Sequence, residues 1–422
     1  MRIRSTGASV LLCGWLASSA WGEDWTEFRG ATGQGHSTAM GLPTRWDDEQ
    51  NVAWKREIPG KGWSSPVILG QHIYLTTSVP DDAEDAAAQS LRALCLDSKS
   101  GDVIWNAEVF RQAAGVAIHV KNSHASATPI TDGQRLFVHF GTNGTACLSL
   151  TDGNVLWRNQ ELKYAPVHGN GGSPVLVDGL VVVSCDGGDQ QFMAALDQET
   201  GKIRWRTPRS TKPARGFSFG TPLVIQNDGK RPGEKQIVCP ASDAVLAYEP
   251  ATGREIWKVN YPGGYSVVPR PVFDRGLLIV CTGYNTPTVL AIRPKGAAGD
   301  VTETHVVWRL TKGAPHNPSP LLVDDALYLV SDKGVATCLD AATGEPRWQE
   351  RIGGDFSASP LYADGKIYLQ SEEGEGIVLK PGPTFEEMAR NPLHEKSLAS
   401  YAVADGALFI RLERHLARVQ QK

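Results

Sequence analysis

Three groups of side chains in this sequence are of types and spacings that could do chemistry. The first is GFSFG, Gly216 to Gly220. The pattern G-x-S-x-G presents a serine nucleophile when a strand precedes it and a helix follows, because the strained turn between them exposes the hydroxyl. Here Thr221, Pro222 and the apolar run Leu223–Ile225 follow. That is strand sequence, so Ser218 is expected in an ordinary connecting loop and no hydrolase is predicted. The second group is His124, His168 and His316. One zinc ion needs its ligands about 2 Å away. These three fall in the second, third and sixth of eight repeat units, too far apart around a ring to share an ion. They are expected to line a polar channel, and no metal site is predicted. The third group is Cys95, Cys147, Cys185, Cys239, Cys281 and Cys338. No two are adjacent and no C-x-x-C is present. They recur at two repeat positions, and equivalent positions in neighbouring units should stand farther apart than the roughly 7 Å that a disulfide spans between Cα atoms. Buried thiols are the expectation.

A fourth set could bind rather than react. The segments between repeat units read KGWSS, KNSHASA, VHGNGGS, ARGFSFG, GGYSVVPR, KGAPHNPS, GGDFSAS and KSLASY. They mix aromatic rings with Arg, His, Asn and Asp. The candidate ligand-binding residues are Trp63, His124, His168, Asn170, Arg215, Tyr265, Arg270, His316, Asn317 and Asp355. Such a face suits a carbohydrate, a peptide or another small polar ligand. The competing role is plainer: polar loop side chains also satisfy loop backbone and hydrate a channel.

The elements that must position these residues are repeats. A small residue and a proline open an apolar run, which a Gly or Asp turn joins to a second run. Seven copies carry Pro66, Pro129, Pro174, Pro222, Pro271, Pro320 and Pro360, and an eighth has Tyr401 in that place. A second phrase follows in most units, as in LDAATGEPRW from Leu339 to Trp348: a Gly, then a Trp four residues later. It gives Trp105, Trp157, Trp205, Trp257 and Trp348; Trp308 ends a copy with a lengthened turn, and Trp54 a copy with no turn before it. Each unit holds four short runs rich in Val, Ile, Leu and Tyr, and no stretch keeps a period of 3.6. Four strands per unit and eight units predict an all-β, eight-bladed β-propeller of antiparallel four-stranded blades over residues 51–422. The run NVAWKREI precedes the first complete unit, while the last unit needs one more strand. Pairing them would close the ring and remove a sheet edge. The seven tryptophans are expected to be structural, each packing from an outer strand against a neighbouring blade. In the turn before each, Gly supplies an unusual backbone angle and Asp bonds the turn amides.

Eight units with this Thr-Gly-x-x-x-Trp phrase resemble the pyrroloquinoline quinone (PQQ)-like repeat family, from Asn51 to the C-terminus. That family contains quinoprotein alcohol and glucose dehydrogenases and BamB-type propellers of outer-membrane protein assembly. DWTEFRGATGQG and GKGWSSPVILG look closer to secreted PQQ-like proteins of planctomycete-type bacteria. The dehydrogenase branch implies PQQ, a calcium ion, a vicinal Cys-Cys disulfide and a catalytic Asp. This sequence has no Cys-Cys and lacks the long insertions that build a cofactor chamber there, so no catalytic residue carries over and no cofactor is predicted. The resemblance implies a non-catalytic binding or scaffolding propeller of the cell envelope, with a role in outer-membrane protein assembly as its more specific form. The alternatives are a PQQ-dependent oxidoreductase and a sensor holding a small molecule or sugar at the channel mouth.

Residues 1–22 read as a signal peptide: Arg2 and Arg4, an apolar stretch with VLLCGWLA, then Ala20 and Gly22 as small residues before a cut. A periplasmic or secreted monomer follows as the expectation, with no transmembrane segment once the signal is removed. Residues 23–50 form an N-terminal extension. The net charge of −4 argues against a nucleic-acid partner. An envelope protein or a small polar ligand is the expected partner. Two insertions break the repeat, 78–90 and 106–126, and either would form a cap over the channel or a surface loop.

Overall fold

The computed structural model describes residues 23–81, 87–226 and 235–422. The predicted signal peptide and part of the first insertion lie outside these residues. The described chain is built from strands, with one short 3-10 turn at Gly141–Asn143. Eight sheets, each with four antiparallel strands, follow one another as propeller blades, and inner strands of neighbouring blades touch, the first and the eighth included. Every inner strand begins just after the marker proline, or after Tyr401 in its place: Val67–Leu69, Ile130–Thr131, Val175–Val177, Leu223–Gln226, Val272–Asp274, Leu321–Val323, Leu361–Ala363 and Ala402–Ala404.

The strand sequences follow from position in the blade. Middle strands are covered on both faces by the neighbouring blades, so they are continuously apolar. Leu180–Asp186 is buried throughout. Outer strands have one wet face and alternate, as in Ile203–Pro208, where Trp205 is buried between exposed arginines. The ring closes as the repeat predicts. Val52–Glu57 pairs antiparallel with His415–Gln420 and becomes the outer strand of the eighth blade.

The tryptophans hold the ring together by a more specific device than packing alone. The indole N–H of Trp105 in blade 1 donates to Leu150 O in blade 2 at 3.0 Å. Trp54, Trp157, Trp205, Trp308 and Trp348 reach Ser98, Gln198, Pro250, Ala341 and Gly382 O of the next blade in the same way. The turn glycine of that next blade lies flat against the ring. A Cβ on Gly153 would stand 2.6 Å from Trp105, and one on Gly201 2.5 Å from Trp157. Each glycine is thus required twice, for its positive φ (72° and 70°) and for its missing side chain. Trp257 departs from the rule: its N–H goes to Gln236 in its own blade. The long connection of blade 5 folds back here, pairing Gly299–Asp300 parallel to Trp257 and Lys258 and burying Trp257 completely.

The N-terminal extension is not a free arm. It crosses the ring and ties five blades together. Trp25 exchanges backbone bonds with Ile68 in blade 1, and Thr26 O accepts from Thr131 N in blade 2. Gln34 meets Phe273 in blade 5, and the His36 ring N–H donates to Leu322 O in blade 6 at 2.6 Å. Gly35 and Ser37 pair with Tyr362 in blade 7. The 106–126 insertion divides in two. Val103–Gln112 is simply a long outer strand, matched by long partners His72–Pro80 and Gln89–Asp97. The rest, 113–126, is a strap over the mouth of the channel.

Candidate functional site

The site begins with the residue before each marker proline. In seven blades it is Ser or Thr: Ser65, Thr128, Ser173, Thr221, Ser319, Ser359 and Ser400. The backbone N–H of Ser65 donates to Thr128 Oγ1 at 2.9 Å, Thr128 N–H to Ser173 Oγ at 2.9 Å, and Ser173 N–H to Thr221 Oγ1 at 3.0 Å. On the far side Arg270, Ser319, Ser359 and Ser400 donate onward at 2.9–3.1 Å, the last back to Ser65. A belt of hydroxyl-to-amide bonds therefore runs around the channel. Its one gap lies where blade 5 carries Arg270 in place of a hydroxyl.

Arg270 is itself fully buried and faces down the channel. Its guanidinium donates to Pro222 O, Phe28 O and Glu27, with the Glu27 ion pair at 2.7 Å. Burial pushes the Glu27 carboxyl up, against the pull of Arg270. Beside it, buried Arg29 donates to Pro320 O at 2.8 Å, and burial lowers its guanidinium to about 9. Two arginines and Phe28 thus plug the channel below the belt.

Above the belt lies a cavity of about 630 Å³, with Phe28 in its floor and the seven hydroxyl residues around its base. Its wall over blades 3 to 6 is a chain of rings: His119–His168 with centroids 5.3 Å apart, His168–Phe217 at 5.2 Å, Phe217–Tyr265 at 5.4 Å, Tyr265–Tyr284 at 5.6 Å and Tyr284–His316 at 5.6 Å. The last four are edge-to-face, and contacts of this kind fix each ring by its neighbours. Arg215 lies over Tyr265 and donates to its hydroxyl at 3.2 Å. The opposite wall is made of Ser357, Leu398 and Ala399, with Trp63. Asp332 accepts from the backbone N–H of His316 at 2.7 Å and from the Asn317 side-chain amide, which stiffens one end of the arc. The strap closes over the top. His119 N–H and the Asn122 amide donate to His168 O, and Lys121 crosses to Glu372 in blade 7 at 2.7 Å. Burial, then the charge of His119, pulls the His168 imidazole below its usual range.

Six of the ten candidate ligand residues converge here: Trp63, His168, Arg215, Tyr265, His316 and Asn317. Four do not line this cavity. Arg270 belongs to the plug. Asn170 is buried, donating to Phe140 O and accepting from Tyr164. Asp355 stands outside, paired with Lys333 at 3.0 Å. His124 bonds Gln112 and lines a neighbouring cavity. The repeat gave no signal for His119, Phe217 and Tyr284, which complete the arc, although Phe217 lies inside the GFSFG motif. In that motif Ser218 is buried against the Ser242 hydroxyl at 3.3 Å. The six described cysteines are free and buried.

The fold and this one-ended cavity define a propeller whose blades carry a repeated Trp clasp and whose channel is plugged from one side. A family model described as outer membrane protein assembly factor BamB matches residues 41–159, 92–297 and 297–381, and the chain belongs to that PQQ-like repeat family. A curated relative, the uncharacterised protein RP232 of Rickettsia prowazekii, is 25% identical over 199 residues, 45% of this chain. The match spans 41% of that protein's own length. Among solved structures, BamB from Moraxella catarrhalis superposes with a TM-score of 0.62 at 12% identity, covering 88% of this chain and 97% of that one. A europium-containing methanol dehydrogenase gives 0.64 at 11%, covering 92% and 89%. Quinohemoprotein alcohol dehydrogenase from Comamonas testosteroni gives 0.63 at 11%, covering 95% and 81%. At such identities the shared property is the fold.

The dehydrogenase relatives raise the question of a quinone with its metal. The donors in this cavity do not fit that pair. Among the described residues no three His, Cys, Asp or Glu side chains gather as a metal site. Asp332, the carboxylate that reaches the cavity, is already engaged by His316 and Asn317.

Proposed function

We propose that this protein is a binding propeller of the cell envelope whose channel mouth holds a small polar ligand with an apolar ring face, a sugar being the best fit. The observation that carries this is the six-ring arc standing above a hydroxyl belt and a plugged floor. Aromatic faces take the C–H face of a sugar ring, and the His, Asn and Arg side chains between them take its hydroxyls. A 630 Å³ cavity is within the usual range for small-molecule sites. The envelope setting rests on the signal-like residues 1–22 and on membership of a family that includes BamB. A scaffolding role in outer-membrane protein assembly has that membership alone behind it, and the cavity adds nothing to it.

The test is titration calorimetry of the purified protein against neutral and acidic monosaccharides, and against PQQ with Ca²⁺. Saturable sugar binding, weakened at least tenfold by Tyr265→Ala, is expected. Tight PQQ binding accompanied by dye-linked alcohol oxidation would overturn the reading in favour of a quinoprotein.

A further inference from the structure

A second cavity, of about 590 Å³, lies on the other side of the strap, against blades 1 and 8. Trp63, His119 and Asn122 line both cavities. The second one adds Lys61, Gln89, His124, Lys396 and Glu413, with the strap residues Gly115–Val120 as its roof edge. His124, which the channel cavity leaves out, has its place here: its ring bonds the Gln112 amide at 2.7 Å, and burial lowers its pKa. The strap between the two cavities is held at both sides, by His168 O and by Glu372. It bridges the cavities instead of filling either.

We infer that the two cavities are consecutive subsites for one linear oligosaccharide, which passes the strap at Trp63. This rests on the sugar reading of the first cavity. Three observations carry it. The cavities share a wall, so an occupant of one meets the occupant of the other. Each is large enough for a separate small-molecule site. The shared residue with the largest flat face is a half-buried Trp, a platform that serves a ring on either side. A peptide fits less well. Extended peptides bind by adding to an open strand edge, and the backbone amides of Ser65, Thr128, Ser173 and Ser359, just before the inner strands, are spent on the hydroxyl belt. The groups left for recognition at the second cavity are side chains: imidazoles, carboxamides, hydroxyls, the Glu413 carboxylate and the ammonium groups of Lys61 and Lys396. Two lysines against one carboxylate favour an oligosaccharide with acidic units at the outer end.

The experiment uses the purified protein on an array of neutral and uronate-containing oligosaccharides, followed by calorimetry on a one-to-six-unit series of the best binder. Affinity is expected to rise at least tenfold once the chain is long enough to pass Trp63. Lys61→Ala with Lys396→Ala should erase most of that gain. Lys61 is exposed, so a folding defect is not expected, and an unchanged melting temperature checks this. Saturable binding that does not depend on length overturns the extended site and leaves the sugar reading of the first cavity standing. Array binding confined to peptides or absent altogether overturns both.

Discussion

Replacing Gly201 by Ala tests the ring clasp directly. Gly201 has φ +70°, and its new Cβ would stand 2.5 Å from the Trp157 ring of the preceding blade. Holding Ala at positive φ costs about 1–2 kcal/mol, and overpacking a filled contact costs about 1–3 kcal/mol. Loss of unfolded-chain freedom returns about 0.4–1 kcal/mol. The net expectation is destabilisation of about 2–4 kcal/mol. Gly179→Ala is the control, because it has φ +78° and nothing within 4 Å of its Cβ. It carries only the backbone cost, about 1 kcal/mol after the same offset. Urea unfolding of both variants at matched m-values gives the comparison. A third variant, Gly201→Ala in a Trp157→Ala background, removes the ring that the Cβ strikes. The double mutant should be less destabilised than the sum of the two singles by about 1–3 kcal/mol. Equal shifts for Gly201 and Gly179, or strict additivity with Trp157, would show that the glycine serves the turn alone and that the clasp is misread.

Two further outcomes follow from buried groups. His139 is fully buried, its Nδ1 is bonded to the Thr145 hydroxyl at 2.8 Å, and burial lowers its pKa to about 4. The unfolded chain takes up that proton near pH 6.5, so this contribution to stability is present above 6.5 and falls away as pH drops toward 4, by about 3 kcal/mol in full. Urea midpoints between pH 7.5 and 4 should show a slope that His139→Gln flattens; an unchanged slope counts against it. The cysteines make the other case. Burial pushes Cys95 and Cys147 up to about 12, so a thiol reagent at pH 8 should leave the native protein unlabelled and react rapidly after denaturation. Fast native labelling would mean that the blades open.

The architecture was legible because it is periodic. A proline recurring at the same place in seven units, and a Gly four residues before a Trp in five, survive large changes of loop, and each reports a contact repeated around most of the ring. The reason for the small residue before the proline was less visible. In the sequence Ser65 and Thr128 read as merely small, yet their hydroxyls are acceptors for the neighbouring blade. Arg270 shows the same limit from the other side. It stands at a belt position and reads as a loop cation, but the chain turns it inward to Glu27, 243 residues away in sequence. The cavity was half legible. Trp63, Tyr265 and His316 sit at repeat-defined loop positions that must face the mouth. His119 and Lys121 lie on a strap whose path is fixed by Glu372, 251 residues on, and no local pattern announces such a partner. The lengthened turn of blade 5 is a similar case: only the fold shows that it returns to cover Trp257.

The extension and the first strand also impose an order of events. Residues 23–57 are the first of the described chain to leave a ribosome, yet besides Ile68 and Thr131 their partners are Arg270, Pro320, Tyr362 and finally Leu416. The segment that arrives first is seated last. Until the C-terminus emerges, Trp25, Trp46 and Trp54 have no complete place to bury themselves, and seven blades wait as an open arc with two unpaired ends. During synthesis this protein must therefore spend most of its elongation time with its beginning unplaced, and anything that shields such a tail would shorten its path to the closed ring.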